Sequence, residues 1–172
     1  MNKYSVVAAS IFALSVSIPS FADDTTNFSQ IDQVGVGLTV NLTQTGDRND
    51  NKADIEQGLG VAGDNLSAKI LQTGEDTFSD AKVVQNGSDQ SIIVEQRGLS
   101  LTDNFTSIQQ DGSNNMVDVL QNGTGNINDA TIIQQGNGTL NTATVQQGGM
   151  GSTNNSVINQ NGGGLTANVV QN

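Results

Sequence analysis

One pattern constrains this chain more than any other: N-x-A-x-I-x-Q-x-G, relaxed at most positions, recurs twelve times. The fifth position is Ile, Val or Leu. The seventh is Gln in every copy: Gln33, Gln44, Gln57, Gln72, Gln85, Gln96, Gln110, Gln121, Gln134, Gln147, Gln160 and Gln171. So regular a repeat requires one local shape used over and over. Side chains alternate along a strand, so the first, third, fifth and seventh positions share a face. In the unit from Asn115 that face carries Asn115, Val117, Val119 and Gln121, while Met116, Asp118 and Leu120 point the other way. Units from Asn128 (Ala130, Ile132, Gln134) and Asn141 (Ala143, Val145, Gln147) repeat it. The constant face is expected inside. The variable face, with Asp32, Asp54, Glu56, Lys69, Lys82, Glu95 and Asp118, suits solvent.

The Gln-to-Gln gaps are 11, 13, 15, 13, 11, 14, 11, 13, 13, 13 and 11 residues, which pair into six two-strand repeats with a period of 24 to 28. These repeats occupy about 27–46, 51–74, 79–98, 104–123, 128–149 and 154–172. Glycine at the ninth position marks the turns: Gly35, Gly46, Gly74, Gly87, Gly98, Gly112, Gly123, Gly136, Gly149 and Gly162. It suits the positive φ angles that such turns often need. Two short strands joined by a short arc form either a hairpin or a β-arch. The constant inward set favours the arch, in which each strand pairs with its equivalent in the next repeat. The expected fold is all-β: a six-rung β-solenoid of two parallel in-register sheets, roughly 29 Å tall at one strand spacing per rung. Its handedness does not follow from the sequence.

In such a stack like lies over like. Asn27, Asn51, Asn104, Asn115, Asn128, Asn141 and Asn154 are expected, with the twelve glutamines, to form side-chain amide ladders. A buried amide without a partner costs about 1–3 kcal/mol, so the ladders are required as well as permitted.

Residues 1–22 read as a secretory signal that is removed: Lys3, an apolar run from Val6 to Ile18, then small residues at Ser20 and Ala22. The run is too short to span a bilayer comfortably. A short segment, 23–26, would then lead into the repeats at 27–172. The formal charge of −11 becomes one unit more negative without Lys3, which argues against nucleic-acid binding. Cys and His are absent, which removes disulfides, the commonest metal ligands and the usual general base. With no Trp, and only Phe28, Phe78 and Phe105 as aromatics beyond the leader, an ordinary globular core is not available.

The spacing S-x5-Q-x-G-x2-N-x-A-x3-Q resembles the repeat of curlins, the subunits of bacterial curli fibres. Ser79, Gln85, Gly87, Gln90, Ile92 and Gln96 follow it with substitutions, as do Asn104, Gln110, Gly112, Asn115, Val117 and Gln121. So do Asn27, Gln33, Gly35, Leu38, Val40 and Gln44, and Asn154, Gln160, Gly162, Leu165, Ala167 and Gln171. The resemblance implies a functional amyloid of the biofilm matrix, exported through the periplasm and an outer-membrane pore with accessory proteins, and started by a nucleator subunit. It implies a homopolymeric cell-surface fibre with roles in adhesion and cell aggregation. The chain departs from the family pattern in lacking a Gly- and Asn-rich segment before the first repeat, in lacking aromatics after the Gln, and in two lengthened arcs. Without the basic C-terminal end of a minor subunit, it reads as the major, fibre-forming type.

From Ala130 to Asn172 there is no Asp, Glu, Lys or Arg, whereas earlier repeats carry Asp47, Asp50, Asp64, Glu75, Asp76 and Asp80. Uncharged β-prone strands at an open end template addition, and charges oppose it. The C-terminal two repeats are therefore expected to drive nucleation and elongation.

Other classes fit less well. Asp47 with Asp50, or Glu75 with Asp76, lack a nucleophile or pocket motif, and no enzyme activity, cofactor or metal is expected. The calcium-binding nonapeptide and the Gly-rich nucleotide fingerprints are missing. A monomeric capped solenoid that binds a flat surface, ice or polysaccharide, is the main alternative, with a minor nucleator subunit as another. A flat-binding face calls for a constant outward rank, and Phe28, Thr39, Lys52, Lys69, Asp80, Ile93, Phe105 and Met116 form none.

Overall fold

A computed structural model describes residues 14–17, 26–58, 63–136 and 138–172. The described residues contain strands and no helix. The strands are β1 (Leu14–Ser17), β2 (Thr26–Gln33), β3 (Gly35–Val36), β4 (Thr39–Asp47), β5 (Asp50–Gln57), β6 (Gly63–Ser113), β7 (Asn115–Thr124), β8 (Ile127–Gly136), β9 (Asn141–Gln147), β10 (Thr153–Asn161) and β11 (Thr166–Gln171). β6 continues through its arcs and supplies four successive strand passes, over 67–75, 78–85, 91–99 and 103–112.

Every strand-to-strand pairing is parallel, so each pass lies on its equivalent one turn away. One sheet stacks β2, β5, 78–85, 103–112, β8 and β10, and the second stacks β4, 67–75, 91–99, β7, β9 and β11. The register is the one the period demands: Ile31 on Ile55, Ile108 on Ile132, Ile132 on Ile158, and Val119 on Val145. This is a β-solenoid of stacked coils. The removed-signal reading falls mostly on 1–13 and 18–22, outside the described residues, and the long arc at 59–62 lies outside them too.

The core is a thin slab. Ala53, Ala81 and Ala130 fill one narrow column, with Ile55, Val83, Ile108 and Ile132 beside it. Facing them from the second sheet stand Val40, Leu42, Ile70, Val94, Val119 and Val145. Along β10 burial alternates strictly, residue by residue, as one face turned inward requires. Large aromatic side chains have no room between the sheets, which accounts for their rarity.

Arcs follow one backbone rule that the repeat pattern only partly announces. The left-handed residue falls two places after the ninth-position glycine: Arg48 (φ 51°), Asp76 (φ 52°), Asp89 (φ 52°) and Asn114 (φ 57°) after Gly46, Gly74, Gly87 and Gly112. Gly125 (φ 65°) fills the same place after Gly123. Most ninth-position glycines also lie at positive φ, among them Gly46 (φ 133°), Gly87 (φ 119°) and Gly162 (φ 128°), but a second reason holds where φ does not require glycine. Gly74, Gly98 and Gly136 are not at positive φ. A Cβ on Gly136 would collide with the Gly162 carbonyl oxygen one rung on, and one on Gly87 with that of Gly112. At these positions the backbones stack too closely for a side chain.

Candidate functional site: amide ladders and the ends of the stack

The glutamines form two unbroken ladders. In the first, Gln33 Nε2 donates to Gln57 Oε1 (2.6 Å), Gln57 to Gln85 (2.8 Å), Gln85 to Gln110 (3.1 Å), Gln110 to Gln134 (2.8 Å) and Gln134 to Gln160 (2.6 Å). In the second, Gln44 donates to Gln72 (2.7 Å), Gln72 to Gln96 (2.9 Å), Gln96 to Gln121 (3.0 Å), Gln121 to Gln147 (2.9 Å) and Gln147 to Gln171 (2.9 Å). Every step runs in one sense, from the earlier rung to the later.

Most of these amides spend a second N–H on a main-chain carbonyl. Gln44 reaches Phe28, Gln121 reaches Phe105, Gln134 reaches Met116 and Gln147 reaches Asp129. Each of those carbonyls belongs to the opposite sheet. A glutamine therefore ties its rung to the next one and ties the two sheets together, which a hydrophobic residue at that position would do through packing alone.

The asparagines are less regular. Asn51 Nδ2 donates to Asn27 Oδ1 (2.9 Å), Asn128 to Asn104 (2.9 Å) and Asn154 to Asn128 (2.9 Å), in the sense opposite to the glutamines. Ser79 interrupts this column between Asn51 and Asn104. Asn51 Oδ1, Ser79 Oγ and Asn104 Nδ2 are all buried there without a hydrogen-bond partner. Asn115 and Asn141 sit in the second sheet and form a single step (3.0 Å), on a column otherwise held by Leu38, Leu66, Gln90 and Leu165.

A third polar column, at the arc that leads from the second sheet back to the first, is absent from the repeat pattern. Asn49, Thr77, Thr102 and Asn126 are buried there. Asn49 Nδ2 donates to the Gly74 carbonyl (2.7 Å), and its Oδ1 accepts from the Thr77 amide (3.0 Å). Asn126 Nδ2 donates to the Gly149 carbonyl (2.9 Å), and the Ser152 amide donates to Asn126 Oδ1 (3.2 Å). Asn49, Thr102 and Asn126 cap arc carbonyls, and the Thr77 hydroxyl donates to Asn49 Oδ1 (3.0 Å). A polar residue three or four places after Gly46, Gly74, Gly98, Gly123 and Gly149 is the signal that marks them.

Outside the slab the charges are partly paired. Arg48 bridges Glu75 (3.1 Å) and Asp76 (2.8 Å) of the next rung, and Lys52 reaches Asp80 (3.4 Å). Such exposed pairs contribute little to stability. Here they leave Glu75, Asp76 and Asp80 less able to act as lone repelling charges. Phe105 contacts Phe78 at a ring separation of 5.4 Å, while Phe28 lies in a different rung. Among the described residues no three His, Cys, Asp or Glu side chains group to hold a metal ion. Among the described residues no helix is long and apolar enough to cross a membrane.

The two ends of the stack differ. At the C-terminal end Ala167 and Val169 are only partly buried, and Val157 and Val170 are 70% and 55% exposed. Among the described residues β10 pairs only with β8, and β11 only with β9, so each leaves one edge free. At the other end the ladders leave two unmatched groups: Gln44 Oε1 and Asn27 Nδ2 are buried without partners. No family model matches this sequence, and no curated protein matches it.

Proposed function

We propose that this chain is a non-catalytic structural subunit that adds end to end to other copies of itself, forming an extracellular fibre of the curlin kind. The observation that carries this reading is the complementarity of the two ends. If β2 and β4 of one copy are set over β10 and β11 of another, the column identities continue: Asn27 on Asn154, Ile31 on Ile158, Gln33 on Gln160, Leu42 on Val169 and Gln44 on Gln171. The bond senses continue as well. A Gln171 Nε2 proton would meet the orphan Gln44 Oε1, and the orphan Asn27 Nδ2 would meet Asn154 Oδ1. Neither group has a partner in the single chain. The joint supplies both partners while removing exposed strand edges.

On this reading the chain is exported after loss of residues 1–22, acts as the major subunit, and meets a nucleator, an outer-membrane pore and accessory proteins on its way to the cell surface. Its acidity keeps the released chain soluble.

A time course of thioflavin T fluorescence with electron microscopy, on residues 23–172 diluted from denaturant, tests the proposal. A lag followed by unbranched fibres that seed fresh protein is the expected result. A stable β-rich monomer with flat fluorescence would overturn it and shift the weight to a solenoid that binds a flat surface.

A further inference from the structure

The geometry points to a second occupant for the N-terminal edge of the second sheet: the chain's own β1, which holds the place where β11 of another copy would add. This inference rests on the end-to-end reading and names its regulation. β1 runs parallel to β4 in continuous register, Leu14 on Val40, Ser15 on Asn41, Val16 on Leu42 and Ser17 on Thr43. β4 pairs with the following rung in the same sense, Val40 on Ala68 and Leu42 on Ile70. The Leu-Ser-Val-Ser segment thus occupies the position of an additional rung, with its apolar residues in register with the inward Val40 and Leu42.

Burial at the two ends agrees with that placement. Val40, Leu42 and Gln44 are 0% exposed, although β4 is the first strand of its sheet among the repeats. Their counterparts at the opposite end, Ala167 and Val169, are only partly buried. One end of the second sheet is covered, and the other is open.

The cover is incomplete. Among the described residues β2, the first strand of the other sheet, pairs only with β5. Gln44 Oε1, one position past the stretch that β1 pairs with, remains without a partner. An incoming β11 would bring Gln171 to that oxygen, a hydrogen bond that the present cover does not make. A strand of four residues is also a weak competitor against the six of β11. The leader segment therefore acts as a provisional cap. While it holds β4, a copy accepts another subunit's C-terminal end only after β1 is displaced. If such a copy itself docks by its C-terminal end, it brings a covered end with it and slows growth there.

The test compares the full chain, residues 23–172, and the full chain carrying Val16→Pro, which removes a strand N–H without adding charge. Each is added below stoichiometry to sonicated 23–172 fibres growing in 23–172 monomer. The full chain is expected to slow growth several-fold, and Val16→Pro to relieve most of that. Equal inhibition by the full chain and Val16→Pro, or none by either, would overturn the cap. Hydrogen exchange on the soluble proteins gives a readout that needs no fibres. The β1-facing amides of Val40–Thr43 should exchange more slowly in the full chain than in the other two, and equal exchange in all three would also overturn it. If 23–172 forms no fibres, the end-to-end reading fails, and exchange alone decides whether β1 covers β4.

Discussion

Asn51 lies directly beside Ser79 in the parallel register, yet Asn51 Oδ1 and Ser79 Oγ are both buried with no hydrogen-bond partner. Serine is too short to span the rung spacing that asparagine spans elsewhere in the column. Asn104 Nδ2, on the far side of Ser79, is orphaned for the same reason.

Replacing Ser79 by Asn should therefore join the two broken halves of the ladder. Three buried orphans are relieved at once, and the expected gain is about 1–3 kcal/mol. Urea unfolding of the soluble chain measures it as a higher midpoint. An unchanged or lower midpoint would show that the column has no room for the amide.

Gln96 and Gln171 belong to one ladder but occupy different environments. Gln96 is 0% exposed, accepts from Gln72 and donates to Gln121, to the Asp80 carbonyl and to Thr106 Oγ1. Gln96→Ala should cost about 3–5 kcal/mol, from the cavity and the partners left behind. Gln171→Ala, at the open end, should cost under about 1 kcal/mol in the single chain and yet slow seeded growth. Similar unfolding midpoints for the two variants would contradict this account.

The arcs separate two reasons for glycine. Gly136→Ala places a methyl group against the Gly162 carbonyl, and backbone must move; the expected loss is about 2 kcal/mol or more. Gly125 sits at φ 65° with open space around its Cβ position. Asn114 adopts a similar left-handed conformation (φ 57°) in the arc before it, so Gly125→Asn should change stability by less than about 1 kcal/mol. Thermal unfolding of both variants checks the contrast.

Asp118 titrates above the ordinary aspartate range, first because partial burial disfavours its charge and second because Glu95 is near. The folded chain then holds this proton more tightly than the unfolded chain. Asp118 therefore contributes stability at pH below the ordinary aspartate value, and that contribution is lost as pH rises through the raised value. Asp118→Asn should raise the unfolding midpoint at neutral pH and have less effect in acid. A larger gain in acid than at neutral pH would reverse the sign of this argument.

Val157 and Val170 point outward from the two terminal strands, in a region with no charged residue after Asp129. Val157→Asp with Val170→Asp leaves the slab untouched and adds like charge to an acidic chain. Seeded elongation should slow several-fold and recover with added salt. Removing 150–172, which deletes β10 and β11, should lengthen the lag. If both leave the kinetics unchanged, the low charge at this end has no part in assembly.

Much of the fold was legible because the strand period is two and the Gln anchors keep phase. Given Gln33 and Gln57 twenty-four residues apart, and Ile31 and Ile55 in step with them, each inward column follows. The amide partners follow too, since in-register stacking brings like to like. Less legible were residues whose role depends on what lies across an arc. Asn49, Thr77, Thr102 and Asn126 switch between Asn and Thr, so no single letter marks the column, and what unites them is a bond across the arc, to a carbonyl or, for Thr77, to Asn49 Oδ1. The left-handed positions are similarly hidden, because Arg48, Asp76, Ser100 and Gly125 share a left-handed backbone and no chemistry.

Sequence alone determined the rung, its inward face and its period, since these depend on local alternation and on spacing along one chain. Tertiary structure decided the rest. It set the direction of each amide ladder, the break at Ser79, the stacking distance that excludes a Cβ at Gly136, and the pairing of Leu14–Ser17 with Val40–Thr43. Each of these is a relation between residues distant in the chain, and a hydrogen bond or a steric clash exists only once the fold has brought its two partners within reach.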